Sequence, residues 1–223
     1  MVISGSYWKM NRRFEGFDIF RTFILGVLMS SFSNDDIHSQ QLDIITIDSS
    51  QQQVLTMKTE NFRADELPLA QEIAQQLYAA LQPYFPAAGL AAPQIGINKS
   101  IFLYSYDRDP KHLEAVINPT FIPIDDQKVE GWEGCFSVIL SEEVWMLAKL
   151  PRYEKIKVTY FNLSGEKVEK ILDGFAAKVF QHEWDHLQGV VNIYREDAMI
   201  QQFATKEELF YFMQTVKKED AQR

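Results

Sequence analysis

Two histidines four residues apart, with a glutamate between them, constrain this chain more than any other feature. His182-Glu183-Trp184-Asp185-His186 has the form HExxH. On an α-helix, residues i and i+4 share a face, so both imidazoles project together and can bind one metal ion. Glu183 lies beside them, placed to act on a water molecule activated there. The surrounding residues support a helix from about Phe175 to Leu187. Phe175, Ala176, Val179, Phe180, Trp184 and Leu187 form an apolar stripe that would dock it in a core, and Gly189 supplies a stop. A short pattern of this kind also arises by chance on a solvated helix face. Against that, two of only four histidines are used here, whereas His38 and His112 sit in polar surroundings and read as surface residues.

A catalytic site of the zinc type takes three protein ligands and leaves one position open. No histidine follows His186. The third ligand must therefore be acidic, with Glu196, Glu207 and Glu208 as candidates, or the single cysteine, Cys135, whose thiolate is a soft-metal ligand. One cysteine excludes an intrachain disulfide framework. The net charge of −9 gives a nucleic-acid or anionic-membrane partner no electrostatic help from the chain as a whole.

The pattern along the chain is α+β. A helix is expected over Asp65–Tyr84, with Asp65 as N-cap and an apolar stripe of Leu67, Ala70, Ala74, Leu77 and Leu81, ended by Pro83 and Pro86. Strands are expected at Ile44–Ile47, Ser100–Tyr106, Ala115–Asn118, Phe121–Ile124, Lys155–Phe161 and Glu166–Leu172. The last two flank the hairpin turn Asn162-Leu163-Ser164-Gly165. A final helix begins at Thr205, where Thr205-Lys206-Glu207-Glu208 makes a capping box.

Residues 1–40 read as an extension, with 41–223 as the catalytic domain. Lys9, Arg12 and Arg13 precede an apolar run, Thr22–Phe32, that weakly imitates a secretory signal. Glu15, Asp18 and Arg21 argue against one, and the run is too short to span a bilayer. Phe14, Phe17, Phe20 and Ile24 suit an amphipathic helix, and Met29 is an alternative start. Residues 34–39 read as a linker. A non-spanning extension or an overlong start is the expectation.

Three segments together resemble the signature motifs of the peptide deformylase family, in the family's order. They are Gly89-Leu90-Ala91-Ala92-Pro93-Gln94-Ile95-Gly96, Glu133-Gly134-Cys135-Phe136-Ser137, and Gln181 to Gly189 (QHEWDHLQG). The resemblance runs from about Asp43 into the C-terminal helix. It implies a peptide-deformylase-like α+β fold, with antiparallel or mixed sheets around a central HExxH helix and a helix at the C-terminus. The implied activity is removal of the N-formyl group from the formyl-methionine of new polypeptides.

Carried over residue by residue, the resemblance makes Cys135, His182 and His186 the metal ligands. The family prefers ferrous iron, replaceable by zinc, nickel or cobalt. Glu183 would accept a proton from water and return one to the departing amine. The Gln94 amide and the Phe136 backbone N–H would stabilise the oxyanion. Ala88 and Gly89 would offer backbone groups to the peptide strand-fashion, with small residues admitting its close approach. The implied partners are N-formylmethionyl nascent chains, with the ribosome a candidate, no direct nucleic-acid contact and no transmembrane segment, in the cytoplasm.

The chain departs from the family's pattern in four places. Ala87 stands where the first motif usually has glycine, which costs about 1 kcal/mol if that position needs positive φ. Phe136 replaces leucine. The stretch Val138 to Leu150 is an insert expected to border the substrate groove. Asn192-Ile193-Tyr194-Arg195 lacks an acidic residue before its arginine. Two other readings compete: an HExxH metallopeptidase using one of the three glutamates, and a deformylase-like protein with a shifted substrate or a non-catalytic binding role.

Overall fold

The computed structural model describes residues 43–138 and 144–220. The extension with its amphipathic stripe, the signal-like run and the linker at 34–39 lie outside the described residues, as does His38.

Among the described residues, eight strands form two antiparallel sheets. The larger has the order β1-β2-β3-β6-β7, with β1 Gly89–Ala91, β2 Ile101–Ser105, β3 Leu113–Pro123, β6 Lys155–Phe161 and β7 Lys167–Asp173. The smaller is β4-β5-β8, with β4 Lys128–Glu133, β5 Trp145–Tyr153 and β8 Met199–Phe203. Three α-helices accompany them among the described residues: α1 Leu67–Leu81, α2 Gly174–Leu187 and α3 Lys206–Asp220.

Strand β2 explains the layering. Its side chains alternate in direction, and all five of its residues are buried. Ile101 and Leu103 pack with Ala70, Ile73, Leu77 and Leu81 of α1. Phe102 and Tyr104 point the other way, into a cluster with Ala177, Val179 and Phe180 of α2. A strand covered on both faces reads as a continuous apolar run, as this one does. Phe180 meets the rings of Phe102 and Tyr104 edge-on, at 5.1 and 5.7 Å. This contact and those with β5 bring α2 against both sheets, so the HExxH helix is central.

Several expectations shift in detail. The first helix is flanked by 3-10 turns, Ala64–Glu66 and Gln82–Tyr84. Its start is fixed not by Asp65 but by Glu66, whose carboxylate accepts from the Arg63 N–H at 2.8 Å. The two short strands expected at Ala115–Asn118 and Phe121–Ile124 are one strand, β3, with a register shift between Ile117 and Thr120. Asn118 takes a left-handed φ of 49° there, and Pro119 has no N–H for the ladder. Ile44–Ile47 is not a strand. It is an extended tie: Ile45 N–H donates to Gln94 O at 2.8 Å and Ile47 N–H to Ser137 O at 2.9 Å. The hairpin turn is as expected, with Gly165 at φ 77°. At the last helix, Glu208 N–H donates to Thr205 Oγ1, but the Glu208 carboxylate returns to the N–H of Ala204 rather than Thr205.

β1, β4, β5 and β8 were not legible as strands. β1 has three residues, and β8 is exposed at four of its five. The second part of the supposed insert, Trp145 to Leu150, belongs to β5, which lies between β4 and β8. Met146 and Leu147 are buried, and Met146 packs in the cluster that holds Cys135. Residues 139–143 of the insert lie outside the described residues. Ala87 carries no backbone strain, since the positive-φ non-glycine residues among those described are Arg108 and Asn118. Its methyl is buried in the α1 core instead.

Candidate metal centre

One atom each from Cys135, His182 and His186 lie within 4.8 Å of one another, and no other such group occurs among the described residues. α2 presents the two imidazoles on one face, and the segment after β4 brings Cys135 up to them. Cys135 Sγ is 3.2 Å from His186 Nε2. Cys135 and His186 are buried and His182 is half-buried. Glu196, Glu207 and Glu208 are exposed and take no part.

A buried ion network orients His182. Its Nδ1 meets Glu133 Oε2 at 2.9 Å, which leaves Nε2 to face the thiol. Arg152 grips Glu133 with two bonds, Nε to Oε1 at 2.8 Å and an Nη to Oε2 at 2.9 Å. Its other Nη reaches Asp185 Oδ2 at 2.5 Å. Arg195 also donates to Asp185, at 3.1 Å, and holds Asp197 at 2.8 Å. Arg195 is thus held between Asp185 and Asp197. Burial pushes the Glu133 carboxyl up, but Arg152 and His182 outweigh it and hold it well below the usual carboxylate range. Burial also works against a charged His182, yet bonding to Cys135 and Glu133 raises it well above an ordinary histidine. His186 is pushed the other way, by burial and then by the cationic His182 and Arg152.

Glu183 is buried beneath this group, and its Oε2 has no hydrogen-bond partner among the described residues. Burial raises its carboxyl to about 7, with the charge of Glu133 adding to the rise and those of His182 and Arg152 opposing it. A carboxyl in that range can both take and return a proton near neutral pH. Gln94 is fixed at both ends of its amide. Oε1 accepts from Ala91 N–H at 2.9 Å, while Nε2 donates to Ser137 Oγ at 3.2 Å and approaches Cys135 Sγ at 3.6 Å. The Phe136 ring packs on Tyr84, centroids 4.9 Å apart.

β1 is an edge strand, paired only with β2. The Ala88 carbonyl is taken by Ser105 N–H at 2.7 Å, so by alternation the main-chain groups of Gly89 face the open edge. Gly89 also has a second reason to be small. A Cβ on it would lie 2.6 Å from Glu183 Oε1 and 2.8 Å from Leu103 O. The site therefore gathers the sequence-predicted Ala88, Gly89, Gln94, Cys135, Phe136, His182, Glu183 and His186. Sequence reasoning gave no role to Glu133, Ser137, Arg152 or Asp185. The available signal was an arginine in the apolar run Trp145–Tyr153, since a buried charge requires a partner.

Residues 43–201, more than half of the chain, match the family described as polypeptide deformylase. A Ralstonia nicotianae peptide deformylase is 39% identical over 111 residues, 47% of this chain and 60% of that protein. One from Rickettsia conorii is 32% identical over 184 residues, 75% of this chain and 85% of that protein. The chain spans about three-fifths of the length of the first curated relatives. Among solved structures, the Thermotoga maritima peptide deformylase matches with a TM-score of 0.59 and 34% identity, over 70% of this chain and 97% of that one. A Met-Ala-Ser-bound peptide deformylase from Acinetobacter baumannii matches with a TM-score of 0.60 and 27% identity, over 69% and 98%.

Proposed function

The chain belongs to the polypeptide deformylase family, and from that premise we propose that it removes the formyl group from N-formylmethionyl chains. The observation that carries the reading is the convergence of Cys135, His182 and His186 around the buried Glu183, beside the open edge of β1.

The donor set fits a divalent metal. A thiol and two imidazoles suit iron, zinc, nickel or cobalt, and Glu133 already fixes the His182 ring through Nδ1, the usual support for a ligating imidazole. Cys135, His182 and His186 would hold the ion, ferrous iron foremost, with zinc, nickel or cobalt able to replace it. A metal bound there supplies Lewis acidity, making water more acidic and the formyl carbonyl more electrophilic.

The protein's own groups supply the rest. A formyl peptide would lie along β1 as an added strand, bonded to the main-chain groups of Gly89, because the Ala88 carbonyl is already held by Ser105. Glu183 would take the proton of the attacking water and deliver one to the departing amine. Gln94 Nε2, held in place through Ala91 and Ser137, and the Phe136 N–H would donate to the oxygen that becomes negative. No helix among the described residues is long and apolar enough to cross a membrane. The proposed substrates are nascent chains in the cytoplasm, with the ribosome as the surface that presents them.

The test is amine release from a formyl-Met tripeptide, using protein purified without oxygen and assayed with and without a chelator. Turnover that the chelator abolishes is the expected result. Metal-loaded protein with no turnover would remove the hydrolase reading.

A further inference from the structure

Two paths leave the metal group in the same direction, and both end at Arg108. Along α2, Phe175 lies seven residues before His182, two turns back on the same face and about 10 Å along the axis. Along β1, Gly89 lies against Glu183, while the preceding Ala88 packs against the cluster that contains Ala177 and Val179. Moving back from Gly89 therefore follows α2 towards its N-terminus. Ala88 O is bonded to Ser105 N–H, and Arg108 follows Ser105 by three residues. The Arg108 guanidinium lies 5.0 Å over the Phe175 ring, which is 38% exposed.

Arg108 stands at the surface with a left-handed φ of 67°, a conformation that is costly for a residue with a side chain. The carboxylates beside it serve the hairpin. Asp107 Oδ2 is 2.8 Å from His112 Nδ1, its Oδ1 accepts from Asp109 N–H at 3.0 Å, and Asp109 Oδ1 accepts from Lys111 N–H at 2.9 Å. Among the described residues no carboxylate forms an ion pair with Arg108. Asp65 raises the pKa of Arg63 and Asp197 that of Arg195, whereas partial burial lowers that of Arg108.

A formyl peptide added along β1 begins with its methionine at the metal group. Leu90, Ala91 and Ala92 are fully buried, so the peptide continues from Gly89 past Ala88, towards Arg108 and Phe175. Side chains alternate along a strand, so the third residue shares the face of the first and lies about 6.6 Å beyond it. A glutamate side chain there covers the rest of the ~10 Å to the Phe175 end of α2. We propose that Arg108 is a specificity-determining residue that binds a carboxylate on the third residue of a formyl-methionyl chain. The assignment rests on the deformylase reading and leaves methionine in first place. The Phe175 ring covers one face of the planar guanidinium and leaves its in-plane N–H groups free to make a two-pronged, charge-assisted bond.

The experiment uses the full metal-loaded chain and C-terminally amidated tetrapeptides, so that no terminal carboxylate competes. Turnover gives kcat/KM for formyl-Met-Ala-Glu-Ala amide and for its counterpart with glutamine in third place. Calorimetry gives Kd for the two deformylated products. Glutamate should be favoured about threefold to fivefold in both readouts at low salt, the range of a surface ion pair. The preference should vanish in about 1 M sodium chloride, which screens charges beyond ~3 Å. Arg108→Lys should keep part of it, Arg108→Gln should abolish it, and Arg108→Glu should reverse it. Equal values for glutamate and glutamine in the unmutated protein overturn the proposal. So does a preference that Arg108→Gln leaves intact, or one equally large with the glutamate in second place. Product binding in the expected ratio without hydrolysis of either formyl peptide would instead overturn the deformylase reading and leave the Arg108 assignment in place.

Discussion

Gly89 and Glu183 touch so closely that no other residue fits at position 89: its Cβ would stand 2.6 Å from Glu183 Oε1. The glycine is therefore set by the proton-transferring carboxylate behind it as well as by any substrate in front. The carboxylate is buried, and the Leu103 carbonyl blocks the other side at 2.8 Å, so neither neighbour can yield cheaply.

Gly89→Ala should consequently lower kcat/KM by about 100-fold, the scale of a 1 Å misplacement of a reacting group, while metal content stays near one ion per chain. Elemental analysis beside the formyl-peptide assay checks this. Unchanged turnover would mean that Glu183 is not the proton-transferring group.

Glu183→Gln keeps the shape of the side chain and removes its basicity. The metal should remain bound, with kcat down by roughly 100- to 10,000-fold. Loss of the metal would instead make Glu183 a ligand.

Cys135→Ala should abolish metal retention during gel filtration, because two imidazoles are left where three ligands are required. The exposed Glu196, Glu207 and Glu208 cannot replace the thiol. Retention at full occupancy would revive the metallopeptidase reading.

Arg152→Ala strands Glu133 and Asp185 as buried carboxylates without their shared cation. Breaking a buried ion pair from one side costs about 3–5 kcal/mol, readable as a lower urea midpoint. Because Glu133 also orients His182, metal affinity should fall about 10- to 100-fold. A stability loss with unaltered metal affinity would separate the two roles.

Alkaline stability depends on Tyr160, whose hydroxyl donates to Glu114 Oε2 at 2.5 Å. Burial, then the Glu114 carboxylate, holds this phenol above its ordinary value of 10.0. The unfolded chain loses the proton above that pH and the folded chain keeps it. Stability should thus be level with respect to this group below pH 10 and fall above it, by about 1.4 kcal/mol per pH unit. Tyr160→Phe should flatten the slope in urea titrations between pH 10 and 12.

Features carried by local periodicity could be read from the sequence alone. The stripe through Leu67, Ala70, Ala74, Leu77 and Leu81 forms α1, HExxH lies on a helix that ends before Gly189, and Asn162 to Gly165 turns a hairpin. Each depends on residues within a few positions of one another, so spacing is enough. The three motif segments also identified which side chains would meet. Their meeting itself is tertiary. β1 is too short to show a period, β8 too exposed, and β4 and β5 exist as strands because they pair. Which partners Arg152 finds 19 and 33 residues away, and why Gly89 must be glycine, are both fixed by strand register and by the seat of α2 between two sheets. Those are relations between distant segments, and no local pattern encodes a distance across a fold.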